Sequence, residues 1–171
     1  TTSLTMDKGT VYTTSISGQS YQFVTNQSYT IQPNAGVFQF DNVNIFEGTL
    51  VTFKYTVDSN DVDQKFIIPA ANADTSTLKV SVQTSVSDTT TEVYNIANSY
   101  SGLDSSTKSY FLQEGDDNRF EVYFGDGVLG KKPVDGNIII LEYVVTNKTE
   151  ANGANTFTCL LYTSDAADEL C

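Results

Sequence analysis

Short runs of alternating apolar and polar residues recur along most of this chain. The cleanest covers 49–57: Val51, Phe53, Tyr55 and Val57 share one face, and Thr52, Lys54 and Thr56 the other. A side-chain period of two marks a strand with one buried face. Leu78, Val80 and Val82 alternate with Lys79 and Ser81, and Phe120, Val122 and Phe124 alternate with Glu121 and Tyr123. Shorter candidates are Tyr21/Phe23, Tyr29/Ile31, Phe38/Phe40, Val43/Ile45, Phe66–Ile68, Val93–Ile96 and Tyr110–Leu112. The run IIILEYVV at 138–145 is nearly continuous, as expected of a strand buried on both faces.

Turn chemistry separates these runs. Lys8-Gly9, Ser17-Gly18 and Pro33-Asn34-Ala35-Gly36 are turn signals, and Asp41-Asn42 shifts the phase between two apolar pairs. Glu114–Asn118 reads as a hairpin turn into the strand at Phe120. No segment carries an apolar stripe at helical spacing. The pattern therefore predicts a mainly β chain with little or no helix, its antiparallel strands in a sandwich-like arrangement.

Composition narrows the function classes. The 171 residues include 10 Tyr and 10 Phe, in keeping with strands. The formal charge of −12 argues against a nucleic-acid partner, which selects for a basic surface. With no His in the sequence, His-based acid–base catalysis and His metal sites are excluded for this chain. No apolar run approaches the ~18 residues of a membrane-spanning helix, and no membrane partner is expected. Both cysteines lie in the last 13 residues, CLLYTSDAADELC, which show neither alternation nor turn chemistry. Cys159 to Asp168 is similar to one reading frame of a sequencing adapter, so 159–171 is expected to be a non-native tail. The alternative is a Cys159–Cys171 disulfide. Removing the tail's three carboxylates brings the charge from −12 to −9.

Candidate chemistry concentrates in FEVYFGDGVLGKKPVDGN, residues 120–137. Gly125, Gly127 and Gly130 satisfy G-x-G-x-x-G, and with Lys131 also G-x-x-x-x-G-K. Both phosphate motifs need a helix after the loop, because its free N–H groups hold the anion. Here Lys132-Pro133, Asp135-Gly136 and a β-rich run follow, and Lys132 occupies the place of the magnesium-binding Ser or Thr. The glycines are expected instead to supply tight turns in a long hairpin connection. Phe124, Gly125, Asp126, Gly127, Gly130 and Gly136 form this structural turn motif, with no catalytic, cofactor or metal role.

Glu114, Asp116, Asp117, Glu121 and Asp126 cluster in sequence, and paired carboxylates cleave glycosides. Carboxylates beside Gly and Asn are commonly turn formers, so no enzyme is expected. Asp58–Asp63 loosely resembles a calcium loop, but its fifth position is Val62 and the required Gly is missing. Asn26 and Asn147 head glycosylation acceptor triplets, relevant only to a eukaryotic secreted protein.

The same block, with IIILEYVVTN and ANGAN after it, resembles the baseplate J-like family of contractile-tailed phages, and within it the wedge subunits of T4-like phages. NVNIFEG at 42–48 and ADTSTLKV at 73–80 are also similar to that family. The resemblance covers 1–158. It implies a longer parent, of which this chain is an interior fragment: an N-terminal β segment over 1–48, truncated from a neighbouring domain, and a baseplate J-like domain over 49–158. It further implies a virion protein assembled in the bacterial cytoplasm. Its partners would be itself, as a dimer within the wedge, and other wedge proteins, with no cofactor and no small-molecule substrate. A secreted or surface carbohydrate-binding β-sandwich is the alternative that acidity, many tyrosines and Thr/Asn-rich strands would also suit.

Overall fold

The computed structural model describes residues 2–147 and 151–159. It is mainly β, its sheets are antiparallel almost throughout, and no α-helix occurs among the described residues. The chain divides into two compact units, Val51–Thr146 and the combination of Thr1–Leu50 with Asn147–Cys171. Residues 147–158, expected with the 49–158 domain, thus group with the N-terminal segment.

In the N-terminal unit, β1 (Leu4–Met6) pairs with β4 (Tyr29–Ile31), and β2 (Val11–Ile16) forms a hairpin with β3 (Gln19–Val24). Ser17 and Gly18 make that turn with φ of 51° and 83°, the doubly left-handed geometry that matches strand twist. β5 (Phe46–Glu47) extends the sheet beyond β3, and β13 (Thr158–Cys159) pairs with β2 on its other side. Phe38/Phe40 and Val43/Ile45 do not form strands; the chain is irregular there, with Asn42 at φ 56° between the pairs. Cys159, the first residue of the expected tail, faces Tyr12 in the β2 pairing. Residues 160–171, and with them the Cys171 end of the alternative disulfide, lie outside the described residues.

The larger unit is one seven-stranded sheet. Its members are β6 (Thr49–Thr56), β7 (Phe66–Ile67), β8 (Ala73–Gln83), β9 (Thr91–Ile96), β10 (Ser109–Glu114), β11 (Phe120–Phe124) and β12 (Ile138–Val145). Their order is β6-β12-β8-β9-β10-β11-β7. The sheet curls until its two end strands meet, an almost closed barrel. The Tyr55 hydroxyl on β6 donates to the Ile67 carbonyl on β7 at 2.6 Å, and the Tyr55 and Phe66 rings lie 5.6 Å apart, edge to face.

β9 and β10 are parallel, with Ser109 opposite Asn95 and Tyr110 opposite Ile96. Parallel neighbours need a long connection, and the polar stretch 97–108 provides it. Ile139, Leu141 and Tyr143 of β12 are fully buried with Ile68, Val80 and Val122. Each such apolar side chain contributes roughly 1.5–3 kcal/mol by leaving water. Ile138 and Val144 on the opposite face are buried too, so the near-continuous apolar run belongs to an interior strand. A register shift falls between Glu142 and Val144. There the buried Thr77 hydroxyl accepts the Val144 N–H at 2.9 Å and donates to the Asp74 carbonyl at 2.7 Å, which satisfies the polar groups at the irregularity.

Candidate functional site

The glycine-rich stretch does not join neighbouring strands. β11 pairs with β10 and β7, whereas β12 lies between β6 and β8. The expected hairpin connection is therefore a crossover from one sheet position to a distant one. No helix follows the glycines: after residue 130 the chain runs irregularly, turns at 135–136 and enters β12.

Each residue of the turn motif has a definite mechanical role. Phe124 ends β11 with its ring 5.4 Å from Tyr94 and 5.8 Å from Phe66, perpendicular or nearly so to each. Gly125 sits against the returning loop: a Cβ there would lie 2.1 Å from the Leu129 oxygen and 2.6 Å from the Gly130 oxygen. Asp126 accepts the Val128 and Leu129 N–H groups through Oδ1 at 2.8 and 2.9 Å. These bonds, led by that from Leu129, hold its carboxyl below the usual carboxylate range. Gly127 and Gly130 adopt φ of 93° and 95°, and Gly136 adopts 79°, all in the region that favours glycine.

The amide groups of the loop face inward. Gly127 N–H donates to the Gly130 carbonyl at 3.1 Å, Gly130 N–H to the Asp104 carbonyl at 3.0 Å, and Lys131 N–H to the Thr107 carbonyl at 2.7 Å. With Val128 and Leu129 bound to Asp126, every N–H from 127 to 131 has a partner within the chain. A phosphate cradle needs such groups turned outward and unpaired. The Lys131 ammonium is also engaged: it pairs with Glu92, whose other oxygen lies 3.2 Å from Lys108. The hydrogen bond from Lys131, then that from Lys108, lowers the Glu92 pKa.

Further along, Gly136 N–H donates to the Val57 carbonyl at 2.9 Å, and the Asn137 carbonyl accepts Val57 N–H at 2.8 Å. Asp135 accepts Ser59 N–H at 2.9 Å, and the Asn137 side chain links Val134 N–H to the Thr84 carbonyl. The crossover is thus fastened to the end of β6, to the β8–β9 turn, to Glu92 on β9 and to the 104–107 turn. Asp104 organises that last turn. It accepts from both hydroxyls, Ser106 Oγ at 2.7 Å and Thr107 Oγ1 at 2.8 Å, and from Ser106 N–H at 2.9 Å. These bonds, first the Ser106 hydroxyl, hold its pKa at about 2.

Of the remaining candidates, four carboxylates share one depression and the fifth stands apart. Glu114, Asp116, Asp117 and Glu121 line a shallow depression of about 370 Å³ with Lys65 and Arg119, and Lys65 pairs with Glu121 at 3.4 Å. The hairpin closing it contains a single 3₁₀ turn, Asp116–Asn118, with Asp117 and Asn118 left-handed. Asp126 stands beyond the other end of β11, a strand about 13 Å long. Asp58 Oδ1 accepts from Asn60 N–H and Nδ2, and Asp61 Oδ1 from Asp63 N–H. That stretch is a self-bonded turn rather than an open ligand ring. Among the described residues, no three His, Cys, Asp or Glu side chains come together to hold a metal ion. Nor is any helix there long and apolar enough to cross a membrane.

Glu92, Asp104 and Thr107 are the site residues that the sequence pattern does not reveal. The D-S-S-T spacing of a side-chain-bonded turn was the available signal for Asp104. Glu92 carried none, because its partner is 39 residues away. Compared with known proteins, the chain matches no family model and no curated protein.

Proposed function

We propose that this chain is a structural piece of a virion: the interior β region of a baseplate wedge subunit of a T4-like contractile-tailed phage, gene product six. It acts by assembly with copies of itself and other wedge proteins, without catalysis or cofactor. The observation that carries the reading is the FGDG–G–K–K–P–DGN block. Its spacing resembles the family's, and its glycines and amides are engaged in fastening a crossover rather than in presenting a ligand site. A sequence signature built from backbone constraints suits a protein whose activity is its shape.

The direct test is genomic. Genes flanking the source locus are expected to encode tail and baseplate proteins. Neighbours devoted to polysaccharide utilisation would contradict the proposal.

One observation favours the carbohydrate-binding alternative. Tyr100 is half exposed and lies 4.4 Å from the buried Phe111, which in turn stacks with Tyr123 of the adjacent strand at 5.3 Å. A half-exposed tyrosine ring backed by a buried aromatic is a surface on which a sugar ring can stack. A glycan array separates the readings: assembly alone predicts no saturable binding, and binding abolished by Tyr100→Ala supports the alternative.

A further inference from the structure

ANGAN, at 151–155, takes no part in the crossover. The chain contains three Asx-Gly pairs: Asp126-Gly127, Asp135-Gly136 and Asn152-Gly153. Their environments differ in the one respect that matters for the chemistry of such pairs. In the first two, the glycine N–H is tied to a carbonyl, Gly130 for Gly127 and Val57 for Gly136, at 3.1 and 2.9 Å. Their carboxylates are also occupied, Asp126 by Val128 and Leu129, Asp135 by Ser59. Asn152 and Gly153 are both exposed. Gly153 has φ of 100°, and no heavy atom lies within 4 Å of where its Cβ would stand. The surrounding turn is closed by the next residue instead, Ala154 N–H donating to the Ala151 carbonyl at 3.3 Å. Among the described residues, nothing accepts from the Gly153 N–H.

We propose that Asn152 is a site of spontaneous covalent modification, deamidating by intramolecular attack in the folded protein. The deprotonated Gly153 nitrogen adds to Asn152 Cγ. The new N–Cγ bond closes a five-membered succinimide as the Cγ–Nδ2 bond breaks, and the amide nitrogen leaves as ammonia with the proton. Water then opens the ring at either carbonyl, which yields aspartate or isoaspartate. The net change is one water consumed and one ammonia released, with no oxidant, metal or enzyme. Glycine at the second position matters because no Cβ shields its nitrogen and its backbone reaches the attacking geometry at little cost. The product carries a new negative charge on an already acidic chain. As isoaspartate it also lengthens the backbone of the turn by one carbon.

The test is to age the full chain at neutral pH, folded and in urea, and to map peptides for isoaspartate by methyltransferase labelling and mass. Residue 152 is expected to gain the mass of an amide NH₂ replaced by OH, at the same rate folded as in urea. Isoaspartate at 126 and 135 is expected only in urea, and Asn152→Gln removes the signal at 152. If folded protein converts residue 152 no faster than Asn95, or if urea accelerates 152 as much as it does 126 and 135, the native turn protects Asn152 and the proposal fails.

Discussion

Gly125 and Gly136 separate two reasons for glycine that a sequence cannot distinguish. At Gly125 the obstacle is the loop backbone, 2.1 Å from where a Cβ would stand. At Gly136 nothing lies within 4 Å, and only the positive φ of 79° resists a side chain. Gly125→Ala is therefore expected to destabilise by about 3 kcal/mol or more, since backbone must shift. Gly136→Ala should cost about 1 kcal/mol, the local penalty for a left-handed residue. Urea denaturation of the two variants checks the order, and equal losses would contradict it. Ser109 gives the opposite expectation. Its buried hydroxyl has no partner among the described residues and stands 3.0 Å from a Cβ built on Gly130. An unpaired buried hydroxyl costs about 1–3 kcal/mol, so Ser109→Ala should leave stability unchanged or raise it. A clear loss in the same denaturation series would show that the hydroxyl is satisfied.

Pairing between elements is where local pattern stops informing. The alternation at Val51, Phe53 and Tyr55 and at Leu78, Val80 and Val82 correctly marks strands, although Phe53 is exposed and Val57 follows the end of its strand. That β11 and β12 are not partners cannot be read this way, since the choice is made by Glu92, Asp104, Thr107 and Val57, all distant in sequence. β2 escaped the pattern because Thr13, Thr14 and Ser15 blur its alternation. Phe38/Phe40 showed alternation without forming a strand, since two apolar residues beside a left-handed Asn42 offer too little ladder.

The crossover's carboxylates make its stability depend on pH. Asp104, Asp126 and Glu92 all have pKa values lowered in the fold, Asp104 to about 2. A lowered folded pKa gives stability that is fully present above the unfolded value, near 4, and lost as pH falls through the folded value. Unfolding midpoints are thus expected to be flat above about pH 5 and to fall between about pH 4 and 2. Asp104→Asn should shallow that fall, and an unaltered acid limb would remove Asp104 from the account. At the barrel seam, Tyr55→Phe deletes the bond to the Ile67 carbonyl and should lower stability by about 1 kcal/mol, measured by the same denaturation.

At the scale of the whole molecule, the larger unit holds its own core. The buried cluster built on Ile139, Leu141 and Tyr143 draws on residues 68–143. A fragment spanning 49–146, which keeps all of β6, is therefore expected to unfold in one cooperative transition with dispersed amide signals by NMR. A fragment without cooperativity would place part of its stability in the N-terminal unit. The proposed function rests on the glycine-rich block, and there the letters of the phosphate motifs and the geometry point in opposite directions. The letters spell a phosphate loop, while the fold turns each N–H from 127 to 131 toward the chain's own acceptors. Titration calorimetry of the chain with magnesium and ATP tests this most directly. No saturable heat is expected, from the chain or from its Lys131→Ala variant; magnesium-dependent, saturable binding that Lys131→Ala abolishes would contradict the account.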